Sequence, residues 1–204
     1  MRTEWQFPAS FNVAPTQKVP VVRAAAGGER VGARLRWGLI PFWAKGIPPK
    51  YSTINATVEK LTNAATWRGP WSRGQRCIMP ANGFYEWQVL PDGKTKQPYY
   101  ITLNDQPLFG FAALWDASRA EDGVVESCTI VTMPANRLMT EIHNVKHRMP
   151  ALLAREDRDV WLNGSPEEAL RVIRQYPDSL MLATPVSTRV NMPKNNDAAL
   201  IAAV

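Results

Sequence analysis

Strand-like runs of apolar and alternating residues recur along the chain, at 19–23, 35–40, 76–79, 83–89, 99–103, 108–114, 127–132 and 151–153. Between the first two, Ala24-Ala25-Ala26-Gly27-Gly28-Glu29 predicts a surface loop. Between 83–89 and 99–103, Pro91-Asp92-Gly93 predicts the turn of a hairpin. Helical signals are fewer. Ser165-Pro166-Glu167-Glu168 offers a capping serine, proline at the first helical position and glutamate at the third, followed by apolar residues at helical spacing. Shorter helices are predicted over 134–142 and 155–162. Prolines are scattered, and neither a repeat nor a linker divides the chain. The pattern therefore predicts an α+β fold of mostly antiparallel β structure. An open barrel or packed sheets with a few peripheral helices would make one domain over residues 1–204.

Composition narrows the class. With 204 residues, 45% hydrophobic and 21% charged, the chain is ordinary globular material, long enough for a real core. No apolar run approaches the roughly 20 residues that span a bilayer. Residues 1–8 hold no apolar stretch of a secretory signal, so a cytoplasmic protein without membrane contact is expected. Two histidines, His143 and His147, are too few for a multi-histidine metal site, and neither metal nor cofactor is expected. Phosphate-binding loops, GxGxxG, CxxC and GxSxG are all missing from the sequence. The net charge of +6 with eight tryptophans suits a surface that neutralises phosphates and stacks bases. A solvated basic surface over a tryptophan-rich core would read the same way.

Four stretches could carry chemistry. On a strand, Glu86 of Gly83-Phe84-Tyr85-Glu86-Trp87 shares a face with Phe84, while Tyr85 and Trp87 point the other way. Burial there would raise its pKa into the range useful for proton transfer; on the residues alone, a glutamate facing water is the simpler reading. Glu141-Ile142-His143-Asn144-Val145-Lys146-His147-Arg148 gathers cations at a predicted helix end. They could hold a phosphate with His143 as proton shuttle, or simply meet the helix dipole. Asn55 could orient a reacting group or satisfy nearby backbone. Trp37 and Trp43, in a Pro/Gly-bent basic segment, could stack bases or end a core strand. Cys77 and Cys128 sit in apolar strands as small core residues.

Taken in order, these stretches resemble one family, the SOS response-associated peptidases (SRAP), which process abasic sites. The matching pieces are Phe11-Asn12-Val13-Ala14-Pro15, Arg36-Trp37-Gly38-Leu39-Ile40-Pro41-Phe42-Trp43, Ile54-Asn55-Ala56 and Arg76-Cys77-Ile78-Met79-Pro80. They continue through Gly83-Phe84-Tyr85-Glu86-Trp87, Ile142-His143 with Arg148-Met149-Pro150, and Pro185-Val186-Ser187 on to Asn191 and Lys194-Asn195. The resemblance implies a basic cleft for single-stranded DNA. It also implies a covalent thiazolidine formed between an abasic-site aldehyde and an N-terminal cysteine that self-removal of the initiator methionine exposes. On that pattern Asn55 orients the amine and sugar, Glu86 moves protons and His143 acts as acid, while Asn12, Trp43 and Arg148 contact DNA.

The sequence departs from the pattern at its start. The family begins Met-Cys, whereas this chain begins Met1-Arg2-Thr3, with fewer residues ahead of Phe11. A missing N-terminal segment accounts for both departures. Thr57 stands where the family commonly has arginine, which removes one expected phosphate contact. The expected protein is thus a monomeric covalent sensor of abasic sites once its cysteine is in place. The alternative is a non-covalent binder of single-stranded or damaged DNA that has lost the nucleophile. Peptidase action on other proteins is suggested only by the family's name, since no triad signature is present.

Overall fold

The computed structural model describes residues 7–204. Eleven strands are named along it: β1 (Lys18–Ala24), β2 (Arg30–Trp37), β3 (Asn55–Thr57), β4 (Arg76–Ala81), β5 (Phe84–Val89), β6 (Lys96–Leu103), β7 (Phe109–Ala120), β8 (Gly123–Pro134), β9 (Arg148–Pro150), β10 (Leu152–Leu153) and β11 (Met181–Pro185). Four short helices accompany them: α1 (Arg68–Ser72), α2 (Arg137–Ile142), α3 (Arg158–Asn163) and α4 (Pro166–Arg171).

Five strands close into a barrel in the order β7-β4-β1-β2-β8, with β8 returning to β7. Four of the five seams are antiparallel. The fifth is parallel and sets Arg36 opposite Ser127 and Trp37 opposite Cys128. Strand β3 extends β8 in parallel, β9 extends it antiparallel, and β10 joins β7. A second sheet, β11-β6-β5, is wholly antiparallel. It docks on the barrel where Phe84 meets Phe109 and Phe111 edge-on, with ring centroids 6.4 and 5.7 Å away. Leu35, Cys77 and Cys128 are sealed on one face of the barrel wall, and Leu114 is fully buried on the other.

The α+β fold with its hairpins is the one the pattern predicts; the barrel is closed, where the pattern predicts an open barrel or packed sheets. The hairpin at Pro91-Asp92-Gly93 joins β5 to β6: Gly93 is left-handed, and the Asp92 carboxylate accepts the N–H groups of Lys94 and Thr95. Helix α4 carries the expected capping box between Ser165 and Glu168. Three differences have physical reasons. Strand β2 stops at Trp37, not at 40, because Gly38 takes a φ of 114° and hands its N–H to the Cys128 carbonyl. Strands β7 and β8 run twelve residues each, beyond the predicted 108–114 and 127–132. The added length of β7 carries Asp116 and Ser118, which, like Ser127 at the start of the predicted 127–132, are buried because they bind a neighbouring loop. The two residues of β10 replace the predicted 151–153, and β3, β9 and β11 are too short or too local in pattern to be predicted.

Candidate active site

Helix α2 brings His143 to β5. Asn136 caps the helix by accepting the Met139 N–H at 2.9 Å, and its amide donates to the Tyr176 carbonyl at 2.7 Å. Met139 and Ile142 bury the apolar side of the helix, so its end is fixed against the sheet. Two contacts hold that end on β5. Gln88 Nε2 donates to the Glu141 carbonyl at 3.0 Å. The Asn144 side chain accepts the Val89 N–H at 3.0 Å and donates to the Val89 carbonyl at 2.9 Å, standing in for a neighbouring strand.

The result sets His143 against Glu86, with Nδ1 3.8 Å from Oε1. Nδ1 lies closer still, 2.9 Å, to the carbonyl of Arg148. A carbonyl only accepts, so Nδ1 carries a hydrogen and Nε2 is the nitrogen free to exchange a proton. Glu86 does not face water: about a fifth of its side chain is exposed, as is about a quarter of the histidine's. Its pKa is raised because burial penalises the carboxylate, with His143 opposing that in part. The strand alternation holds: Tyr85 and Trp87 look to the other face, where they donate to the Phe11 carbonyl at 2.7 Å and to Asn191 Oδ1 at 2.8 Å.

The remaining predicted residues stand on other elements. Asn55 is exposed at the head of β3, opposite Ile130. Arg148, at the start of β9, reaches across β8: it donates to the Thr132 carbonyl at 2.8 Å and grips both oxygens of Glu59 at 2.6 and 2.9 Å. Any phosphate at Arg148 meets a guanidinium already engaged, and the grip holds the Glu59 carboxyl below its ordinary value. Thr57 sits opposite Thr132, next to this strap, with its buried hydroxyl unpartnered. Asn12 is 8% exposed and its amide donates to the carbonyls of Val190, Met192 and Asn195, clasping the chain's closing segment. The start of the chain, where the expected nucleophile falls, lies outside the described residues.

Trp43 and Phe42 are half-exposed on a short 3₁₀ turn. Strand side chains hold this loop by its N–H groups. Ser127 Oγ takes Ile40 at 2.7 Å, Asp116 takes Phe42 at 2.9 Å and Ser118 Oγ takes Gly46 at 2.9 Å. Arg73 joins in, donating to Asp116 at 3.0 Å and lying 4.8 Å from the Phe42 ring. The sequence pattern singles out none of Asp116, Ser118, Ser127, Arg73, Glu59 and Asn144 as a site residue. The signal available for the first three was polarity alternating along a buried strand.

Neither cysteine offers chemistry. Cys77 and Cys128 are buried in β4 and β8, and burial pushes the Cys77 thiol well up and the Cys128 thiol to about 12.

Comparison with known proteins agrees with this architecture. The family model described as SOS response associated peptidase (SRAP) matches residues 1–193. The "Abasic site processing protein YoaM" of Bacillus subtilis is 40% identical over 200 residues, covering 96% of this chain and 86% of the relative. The "Abasic site processing protein HMCES" of Xenopus tropicalis is 32% identical over 232 residues, covering 98% and 67%. Among solved structures, a Bacteroides thetaiotaomicron protein superposes with a TM-score of 0.82 at 28% identity, covering 93% of this chain and 82% of that one. A Bordetella bronchiseptica protein follows at 0.75 and 28%, covering 86% of each. With the family pattern running over nearly its whole length, the chain belongs to the SOS response associated peptidase family.

Proposed function

We propose that this protein processes abasic sites in single-stranded DNA, with Glu86 and His143 as its proton-transfer pair. The observation that carries the reading is that pair: a carboxylate lifted by burial, set 3.8 Å from an imidazole whose Nε2 is left free. The names of the relatives point to the same substrate. An abasic sugar in its open form presents an aldehyde. His143 protonates the departing ring oxygen, Asn55 orients the sugar and Glu86 relays protons. Trp43 offers a base-stacking face; Arg148 takes a phosphate by giving up Glu59, and Asn12 acts indirectly, by holding the carbonyls of Val190, Met192 and Asn195 in place. The protein acts as a cytoplasmic monomer and needs no cofactor. No helix among the described residues is long and apolar enough to cross a membrane.

In its covalent form, the amine of a terminal cysteine condenses with the aldehyde to an imine, releasing water. The thiol then adds to the imine carbon and its proton passes to nitrogen, closing a thiazolidine. Removal of the methionine ahead of that cysteine would be the protein's only peptide chemistry. The sequence as given holds thiols only at Cys77 and Cys128, and their burial favours a second reading in which this polypeptide binds the strand without bonding to it.

One experiment separates the two readings. The chain as given, and a form in which a Met-Cys start precedes Phe11 at the family's spacing, are incubated with abasic single-stranded DNA and denatured. The Met-Cys form is expected to leave a denaturant-resistant adduct, and the chain as given only salt-sensitive binding. An adduct from neither would sink the covalent reading, and salt-independent binding would sink the DNA reading.

A further inference from the structure

Arg76, at the opening of β4, is 4% exposed. Its guanidinium lies beside the paired rings of Trp71 and Trp161, 5.7 and 6.0 Å from their centroids. Nε donates to the Trp161 carbonyl at 2.5 Å and Nη2 to the Gly164 carbonyl. Both carbonyls lie at the end of α3, where a cation is favoured. That role uses two of the three nitrogens. Nη1 is buried with no partner, and among the described residues no carboxylate pairs with this arginine. A cation withdrawn from water with only neutral acceptors around it is an incomplete arrangement.

Above it lies an open depression of about 560 Å³. Its lining includes Ala26 of the β1–β2 turn, Arg73 and Gly74 at the end of α1, and Asn163 of α3, with no aspartate or glutamate. Gly74 closes α1 in a left-handed conformation, with φ 66°. A Cβ there would stand 4.0 Å from both Nη1 and Nη2, in ordinary contact, so glycine keeps a side chain out of the space between the depression and the buried guanidinium. Arg73 faces two ways. It lines the depression and also lies against Phe42, whose neighbour is Trp43. The exposed aromatic face therefore borders the depression through Arg73, whose guanidinium also pairs with Asp116 at 3.0 Å.

We propose that this depression is a phosphate site, and that the phosphate belongs to the backbone of the single strand whose base lies on the Phe42–Trp43 face. The second half rests on the single-stranded DNA reading above; the first does not. A phosphate oxygen supplies the acceptor that Nη1 lacks and the negative charge that the pocket of Trp71 and Trp161 withholds. The contact carries no sequence preference. It fixes the register of the strand relative to the site on β5.

Because Arg76 also closes α3, replacing it would confound folding with binding, so the rim is changed instead. Ala26→Glu and Asn163→Glu, both at exposed positions, each bring a carboxylate beside the guanidinium. Binding of an intact single-stranded oligonucleotide is measured across a salt series. Each variant is expected to bind roughly tenfold more weakly at low salt, with a log–log slope shallower by about 0.7, the value of one phosphate on a single strand. A wild-type slope in both variants overturns the strand assignment. In parallel, inorganic phosphate alone is titrated while the Arg76 Nε–H resonance is followed. A saturable shift that the oligonucleotide reproduces and competes for supports the proposal. A shift with phosphate that the oligonucleotide never produces overturns its DNA half, and no shift with either overturns all of it. Failure to bind any single strand defeats the functional reading, while the phosphate titration still judges the depression by itself.

Discussion

Glu86 keeps its proton to higher pH in the folded chain than in the unfolded one, because β5 and α2 take its carboxyl out of water. The native state then binds more protons than the unfolded state between the ordinary value of 4.5 and the raised one. Stability therefore falls as pH rises through that window, and the deficit persists above it. Glu86→Gln removes the penalty. It is expected to raise the melting temperature at pH 7 by a few degrees and to leave it nearly unchanged near pH 3. Processing of an abasic oligonucleotide should drop by about a hundredfold in the same variant. Melting curves at the two pH values and a single-turnover assay check both signs. A melting temperature that falls at pH 7 would show that the carboxylate is a net stabiliser.

At the scale of elements, the loop over residues 40–46 shows how the barrel presents Trp43. Gly46 is left-handed, with φ 78°, and a Cβ there would come within 2.4 Å of the Ala120 Cβ. Gly93 in the β5–β6 turn has a similar φ of 67° but open space around it. Gly93→Ala should therefore cost about 1 kcal/mol for backbone strain alone. Gly46→Ala adds a clash and should cost about 2–4 kcal/mol, with a change in tryptophan fluorescence as Trp43 shifts. Urea unfolding of both variants measures the difference, and equal losses would remove packing against β7 from the account. The same elements show what sequence can carry. Turn and cap chemistry acts within a few residues, so the hairpin at Asp92 and the box at Ser165 are legible. Strand β9 is not, because Arg148 reads as the end of a cationic helix until its partners, Thr132 and Glu59, are known.

For the molecule as a whole, the side chains packed on both faces of the barrel wall set stability. Leu114 is fully buried on β7, between β4 and β8, and Leu114→Ala should cost about 3 kcal/mol in denaturant unfolding. The site depends on the same framework. Strand alternation places Glu86 and Phe84 on one face, yet the burial of Glu86 comes from α2, which lies far along the chain. Local patterning could therefore propose the carboxylate and the histidine separately, while their 3.8 Å approach is a product of tertiary packing. The family pattern supplied that pairing where the residues alone favoured a glutamate in water.

The parallel seam between β2 and β8 has a consequence for how the chain reaches this state. The hairpins β1–β2 and β7–β8 are local and can form early, whereas Arg36 must wait for Ser127 before the ring can shut. During synthesis the N-terminal hairpin keeps one bare edge until β8 has left the ribosome. That edge carries Arg30, Arg34 and Arg36, charges that deter pairing with other chains in the interval.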